Sequence, residues 1–534
     1  MAAGHTEELA VYLVAGLTGA LVASDVTRGE RRSRPESPAG PRTRHDARVT
    51  ASVDVPIPPH RDAPARARDL FAPGYRGLTA GLVATITLVA VESLAIGTVM
   101  PSVARELGDQ ELYGWVYSAF YLGNLVGIVI AGGALDRMPL RRPFGTGLAL
   151  FGLGLLVGGL TPSMPVLIAA RFVQGLGGGA LAPTAYVAIG RCLPERLQPP
   201  MFALMSAAWV VPGLIGPSIA VLVGQLAGWR WVFLGLLPLL GVAGGLSLSA
   251  LRGVPAAIRG EDGDAGAATV RRLPNAILTA AGAGLVVASL TSPELPLLIG
   301  GSVLGVVLLV PAFRRLTPPG TLRLARGVPA AVLLRGTMTF SFFAADAYIA
   351  LLLQTWRGTS PTLTGVVFTV TTIAWSAATW IQSRRVDRLG PAFFVRLGFV
   401  CIALGAVLTV PAASPAVPAW ITAFTWALPG IGMGLMYSAV TLVVLRGSRP
   451  GEQGSATSAL QLADILGTAL GTGVGGAIAA AGTRAGGDGL GWALAAVFAM
   501  SGVAAVLGAV ATGRLDPVTG TMRHAQSTQA PAVD

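Results

Sequence analysis

The chain has 534 residues, of which 53% are hydrophobic and 12% charged, with a formal net charge of +12. A soluble domain carries roughly 25% charged residues, so this composition excludes an ordinary soluble protein and points to a membrane body. All 38 basic residues are arginine, set at the ends of apolar runs and in the amino-terminal tail; that distribution fits membrane topology and argues against nucleic acid as a partner.

Residues 1–75 read as an amino-terminal apolar segment followed by a linker. The segment, 9–23, is shorter than the roughly 20 residues a span needs, and its acidic leader does not suit a cleaved signal peptide. It remains open as an extra helix, an interfacial segment or the product of an upstream start. Residues 26–75 are rich in Arg, Pro, Ala and Asp without helical period, as in a disordered cytoplasmic linker.

Apolar runs of spanning length then lie near 77–100, 113–134, 144–161, 165–190, 201–226 and 230–251. Two more follow near 273–290 and 297–313, and six near 328–354, 361–382, 393–411, 417–445, 453–481 and 489–512. The expected fold is an all-α integral membrane protein of about 14 helices. It divides into a first six-helix bundle (76–252), a linker with two extra spans (253–327), a second bundle (328–514) and a cytoplasmic tail (515–534).

Arginines fall after every second span: Arg137, Arg141 and Arg142; Arg191 and Arg196; Arg252, Arg259, Arg271 and Arg272; Arg314, Arg315, Arg323 and Arg326; Arg384, Arg385 and Arg388; Arg446 and Arg449; Arg514 and Arg523. The positive-inside rule puts those turns, and both ends of the core, in the cytoplasm of a multi-pass protein of the cell membrane. Trp229, Trp356, Trp420 and Trp492 fall near the opposite boundary, where an aromatic belt is expected.

Several motifs lie on these spans. Arg171-x-x-Gln174-Gly175-x-Gly177 lies in the fourth, Pro194-Glu195-Arg196 in the turn after it, Gly216-Pro217 in the fifth, and Gly228-Trp229-Arg230-Trp231-Val232-Phe233 opens the sixth. A faint repeat sets Asp136-Arg137 and Arg141-Arg142 after the second span against Asp387-Arg388 at the same place in the second six. Together these resemble the major facilitator superfamily, and the fifth- and sixth-span motifs resemble its fourteen-helix drug:proton antiporter branch. The resemblance implies two parallel six-helix halves with a site between them, joined by an added helix pair. It also implies a latch of the halves through Asp136 and neighbouring arginines, and a gating or proton-transfer role for Arg171. The sequence departs from the signatures at Pro139, Leu140, Pro212 and Ala220-Val221. Gly216-Pro217 still offers a bend and a close contact between the halves.

Charges inside the spans are few, and such residues are expensive and functional by default. Glu92, Arg171 and Asp346 fall in the outer half of the membrane, and Asp464 near its middle. A carboxylate in low dielectric can bind and release a proton near neutral pH, so competition between proton and cationic substrate for one acid gives a simple antiport cycle. Glu92, Asp346 and Asp464 are the candidate coupling acids, with Arg171 the partner for Glu92 in a static alternative, and a helix-break cap the alternative for Asp464. Arg335, near the start of its span, is expected to snorkel to the cytoplasm.

A cavity wall could be supplied by Tyr117, Tyr121, Asn124, Trp209, Phe342, Phe343, Tyr348, Gln354, Trp375, Trp380, Met433, Met436 and Tyr437. So few polar groups suit a bulky apolar or cationic substrate better than a sugar. Cys192 and Cys401 are not expected to pair, no metal-ligand spacing exists, and the four histidines lie in the tails. No HExxH, P-loop or triad is present, which argues against an enzyme, and no filter motif suggests a passive channel. The expectation is proton-coupled efflux needing no cofactor beyond a proton gradient, with lipid, protons and a lipophilic small molecule as partners. A lipid or natural-product exporter, or a symporter, remains the alternative on the same fold.

Overall fold

The structure is a computed structural model that describes residues 67–135, 137–252, 254, 264–449 and 452–515. The readings of segment 9–23, most of the linker, the four histidines, Asp136, Arg259, Arg523 and the 516–534 tail lie outside the described residues.

Fourteen helical spans lie among the described residues. They are α1 (Arg76–Leu107), α2 (Tyr113–Leu135), α3 (Arg141–Gly159), α4 (Met164–Cys192), α5 (Gln198–Leu226), α6 (Arg230–Ala250, with a step at Gly235) and α7 (Asp264–Thr291). Then come α8 (Leu295–Leu316), α9 (Val328–Ala350), α10 (Pro361–Leu389), α11 (Pro391–Thr409), α12 (Thr422–Gly447), α13 (Gln453–Ala485) and α14 (Gly489–Ala511). Thirteen are long and apolar enough to cross a membrane. The exception is α3, whose 19 residues open on Arg141-Arg142 and include six glycines that dilute its hydropathy.

Local sequence sets the ends. Proline stands in the first turn of α4, α5, α8, α9, α10 and α11, where its missing N–H costs nothing. Gly390 separates α10 from α11 at φ 78°, a conformation other residues rarely adopt. At the end of α9 the chain widens into a π-helical turn, Leu351–Trp356. Arg357 beyond it donates to the carbonyls of Ala412, Ser414 and Val417, fixing the α11–α12 connection.

Glycine decides how closely the helices approach, since every face of these helices is apolar and gives little direction of its own. On α4, a Cβ added at Gly175 or Gly179 would strike the α2 backbone at Phe120 or Asn124, and one at Gly177 the α3 backbone at Phe151. The glycine run therefore lets α4 sit between α2 and α3. In the first six helices α1 also packs on α5 and α6; in the last six, α9 packs on α13, α10 on α12, and α11 on α12 and α14. The inserted helices α7 and α8 pack on each other, with Gly282 against Gly305, and α7 also lies against both α2 and α13. Much of α8 is exposed and apolar, as suits a face toward lipid.

The two six-helix sets meet toward the arginine-poor face. Ser118 donates to the Ala469 carbonyl at 2.9 Å and lies 3.1 Å from the Thr472 hydroxyl. Gln354 donates to the Thr98 carbonyl at 3.0 Å, Tyr113 to that of Ala347 at 3.4 Å, and Arg484 pairs with Glu111 at 2.9 Å. Trp420 and Trp492 are exposed there, as an aromatic belt requires, but Trp229 and Trp356 are not free belt residues. The Trp229 indole is buried and donates to Glu106, and that of Trp356 donates to the Ala413 carbonyl.

Candidate functional site

Among the described residues, two ion pairs, one buried and one largely buried, and one acid without a basic partner lie between the helices. In the first, Arg171 on α4 donates through Nη1 to Glu92 on α1 and to Gln174 one turn along its own helix. Its Nε donates to the Val116 carbonyl, and its guanidinium stands 4.4 Å over the Phe120 ring. Side-chain exposure is 3% for Arg171 and 2% for Glu92, so the pair is sealed from both sides. Sealing two charges is tolerable only because they face each other and Arg171 is also held by Gln174 and the Val116 carbonyl. Glu92 Oε2 and Gln174 Nε2 have no partner among the described residues.

The second pair overturns a sequence expectation. Arg335 does not snorkel; it is buried, and its Nε donates to Asp464 Oδ1 at 2.8 Å between α9 and α13. Its Nη1 donates to the Tyr437 carbonyl at 2.7 Å, and its guanidinium lies 3.3 Å from the centroid of the Tyr437 ring. The Tyr437 hydroxyl reaches Asp464 Oδ2 at 3.2 Å. Eight residues into a helix is too deep for the side chain to prefer water when an acid stands beside it. Asp464 likewise caps no helix break, since α13 runs unbroken through it.

Asp346 stands apart on α9. The Trp426 indole donates to its Oδ1 at 2.9 Å, and no basic group pairs with it among the described residues. Between the two arginines runs an aromatic arc that crosses from one six-helix set to the other. Phe120 meets Tyr121 at 5.4 Å between centroids, Tyr121 meets Phe343 at 6.4 Å, and Phe343 meets Phe342 at 5.0 Å. Phe342 then meets Trp375 at 5.7 Å, and Trp375 meets Tyr437 at 5.9 Å. Tyr121, Phe343, Trp375 and Tyr437 are only partly buried, so the arc presents ring surface to an approaching molecule.

Other expected wall residues lie elsewhere. Tyr348 is fully buried, with its hydroxyl on the Thr472 carbonyl and its ring against Gly475. Met433 and Met436 are fully buried, with Met436 packed on Gly398. Gln354 is tied to Thr98 and Thr364, Asn124 sits in the α2–α4 contact beside Gly178, and Tyr117 is buried against Tyr113. These side chains are locked in helix contacts, a difference that hydropathy does not encode. Trp209 and Trp380 are each 46% exposed, outside the arc.

The signature residues divide similarly. Arg137, Arg141 and Arg388 are exposed at the arginine-rich face, and Asp387 pairs with Arg446 of the same six-helix set at 2.9 Å rather than across the halves. Gly216 is buried, yet a Cβ there would meet nothing within 4 Å. The approach of α5 to α10 is instead at Gly213, against Thr372, and around Pro217, against Gly365. Two cavities, of about 520 Å³ beside Tyr75, Arg191 and Ser249 and about 300 Å³ beside Val91, Ile219 and Trp231, both miss the ion pairs. Cys192 and Cys401 are both free thiols.

Spans paired in this way, with charges held between them, make up a polytopic membrane protein. The family model of the Major Facilitator Superfamily matches residues 81–472, and the chain belongs to that superfamily. A probable multidrug-efflux transporter of Mycobacterium tuberculosis is 28% identical over 424 residues, covering 76% of this chain and 88% of that protein. Multidrug resistance protein 3 of Bacillus subtilis is 29% identical over 153 residues, 29% of this chain and 30% of that protein. Among solved structures, a D-xylose-proton symporter aligns with a TM-score of 0.60 at 13% identity, over 83% of this chain and 98% of that one. A bacterial homolog of the human lysosomal transporter Spinster aligns at 0.59 and 15% identity, over 83% and 98%. At such identities the solved structures establish the fold alone. Relatives and structural neighbours are transporters, and this chain is a multi-pass transporter of small molecules rather than an enzyme.

Proposed function

We propose that the chain exports bulky lipophilic compounds, cations among them, in exchange for protons, by alternating access in the cell membrane with its arginine-rich face in the cytoplasm. The observation that carries this reading is Asp346, an acid on α9 that the Trp426 indole holds and no arginine neutralises among the described residues. Glu92 and Asp464 each have an arginine partner already, so Asp346 is the group whose charge a proton or a substrate cation would balance. The partly exposed rings beside it suit a flat apolar body, and relatives named for multidrug efflux and resistance support an efflux reading.

The test uses purified protein in proteoliposomes with a pH-sensitive dye inside. Lipophilic cations added outside are expected to release luminal protons, and Asp346→Asn is expected to abolish that release while the protein still inserts. Intact release in Asp346→Asn would move coupling to Glu92 or Asp464. No release for any cation with wild-type protein would turn the reading toward a lipid or natural-product exporter, or a symporter. Cysteine labelling that placed the 191–200 turn outside the cell would reverse the orientation.

A further inference from the structure

The pair Arg335–Asp464 is built differently from the sealed pair Glu92–Arg171. Side-chain exposure is 5% for Arg335 and 19% for Asp464, so the acid is the member that can be approached and displaced. The contact is also incomplete. A guanidinium binds a carboxylate best through two parallel N–H groups. Here only Nε reaches Asp464, Nη1 is committed to the Tyr437 carbonyl, and Nη2 donates to no described residue. The Nε–Nη2 edge is therefore half used. The Tyr437 hydroxyl already holds the second oxygen of Asp464 and gives that carboxylate a partner if it lets go of the arginine.

Position on the helix adds a second observation. Arg335, Thr339, Phe342 and Asp346 follow at spacings of four, three and four residues, which places them along one face of α9. At 1.5 Å rise per residue, Arg335 and Asp346 are separated by about 16.5 Å along the axis. Phe342 lies between them and touches Phe343, Trp375 and Trp426. One helix face thus carries a cation at one end, an acid at the other and aromatic rings between.

We propose that Arg335 is an anion subsite of the transport path, so that the carrier accepts aromatic zwitterions as well as cations, with Asp464 as the internal counter-ion that a substrate carboxylate replaces. The proposal rests on the substrate path read above and names a further class for it. The substrate's aromatic body lies on the arc, its ammonium group turns toward Asp346, and its carboxylate takes the Nε–Nη2 edge of Arg335. A merely structural pair would instead hold α9 to α13 and be indifferent to the charge of the ligand.

Binding to the full-length protein in detergent, read by fluorescence anisotropy, separates the two. The probes are rhodamine B, a zwitterion with a free carboxylate, and its ethyl ester, a cation of nearly the same shape. Asp464→Asn frees the guanidinium and is expected to tighten rhodamine B by about tenfold, the scale of one charge-assisted hydrogen bond. The ester, which has no carboxylate to place on the bared guanidinium, is expected not to tighten. The double variant R335Q/D464N, which buries no lone charge, is expected to lose that gain and keep the ester. Equal affinity of rhodamine B for D464N and R335Q/D464N, absence of rhodamine B binding to D464N, or parallel shifts of dye and ester would each overturn the subsite. Failure of the ester to bind wild-type protein would count against the cation-export reading alone, while the rhodamine B comparison would still decide Arg335.

Discussion

Trp426 on α12 donates its indole N–H to Asp346 on α9 across 2.9 Å, and this hydrogen bond orients the half-buried acid that no arginine neutralises among the described residues. The indole is itself fixed between rings, stacked on Phe342 at 5.8 Å and edge-on to Phe498 at 5.8 Å. The acid is held at the end of a rigid aromatic stack rather than by a second charge, and it stays available to a mobile one.

Trp426→Phe keeps most of the ring contact and removes the donor. Loss of one hydrogen bond to a charged group is worth about 1.5–3 kcal/mol. Substrate-driven proton release in proteoliposomes is expected to fall about tenfold or more with expression and folding preserved. Wild-type release in this variant would show that the indole does not position the acid.

Glu92→Ala leaves the Arg171 guanidinium buried without its counter-charge, a change that costs about 3–5 kcal/mol. The double variant Glu92→Gln with Arg171→Met removes both charges and is expected to recover much of that loss. Thermal unfolding in detergent measures both. A double variant no more stable than Glu92→Ala would mean that the two side chains are not coupled.

Glycine substitutions separate contact from bend. At Gly175 an added methyl meets the Phe120 carbonyl of α2, so Gly175→Ala is expected to destabilise by about 1–3 kcal/mol through overpacking and to disturb Arg171 one turn away. At Gly216 it meets nothing within 4 Å, so Gly216→Ala is expected to fold at least as well as wild type and to retain transport. Transport activity and unfolding temperature of the two variants compare the cases directly.

Ser118 and Thr472 face each other at 3.1 Å from opposite six-helix sets. In a background with Cys192→Ser and Cys401→Ser, the pair Ser118→Cys and Thr472→Cys is within reach of a disulfide. Oxidation is expected to hold the sets together at the arginine-poor face and reduce transport at least tenfold, and reductant is expected to restore it. Full transport in the oxidised, cross-linked protein would mean that this contact does not open during the cycle.

The sequence was informative where chemistry is one-dimensional. Apolar runs placed all fourteen helices, including glycine-diluted α3, while their grouping as six, two and six came from the family resemblance. The Arg171–Gln174–Gly175 motif marked a helix whose arginine does meet Glu92. Which of its glycines faces α2 and which α3 was decided by the packing alone. Arg335 was misread because its distance from the helix start suggested a route to water, while its partner lies 129 residues further on. Tyr348 was taken for a cavity wall because an aromatic residue inside a span carries no mark of which neighbour covers it.

By itself the sequence determined that the chain lives in a membrane, where its helices run, and that Glu92, Arg171, Asp346 and Asp464 lie within them. Those follow from composition and run length, because hydrocarbon requires apolar side chains and satisfied backbone groups along every span. Only the tertiary structure decided which charges face each other. Helices that are apolar all round carry no stripe to fix their rotation, so the rotation is set by glycine contacts between helices far apart in the chain. That rotation gave Glu92 and Asp464 an arginine each and left Asp346 with an indole.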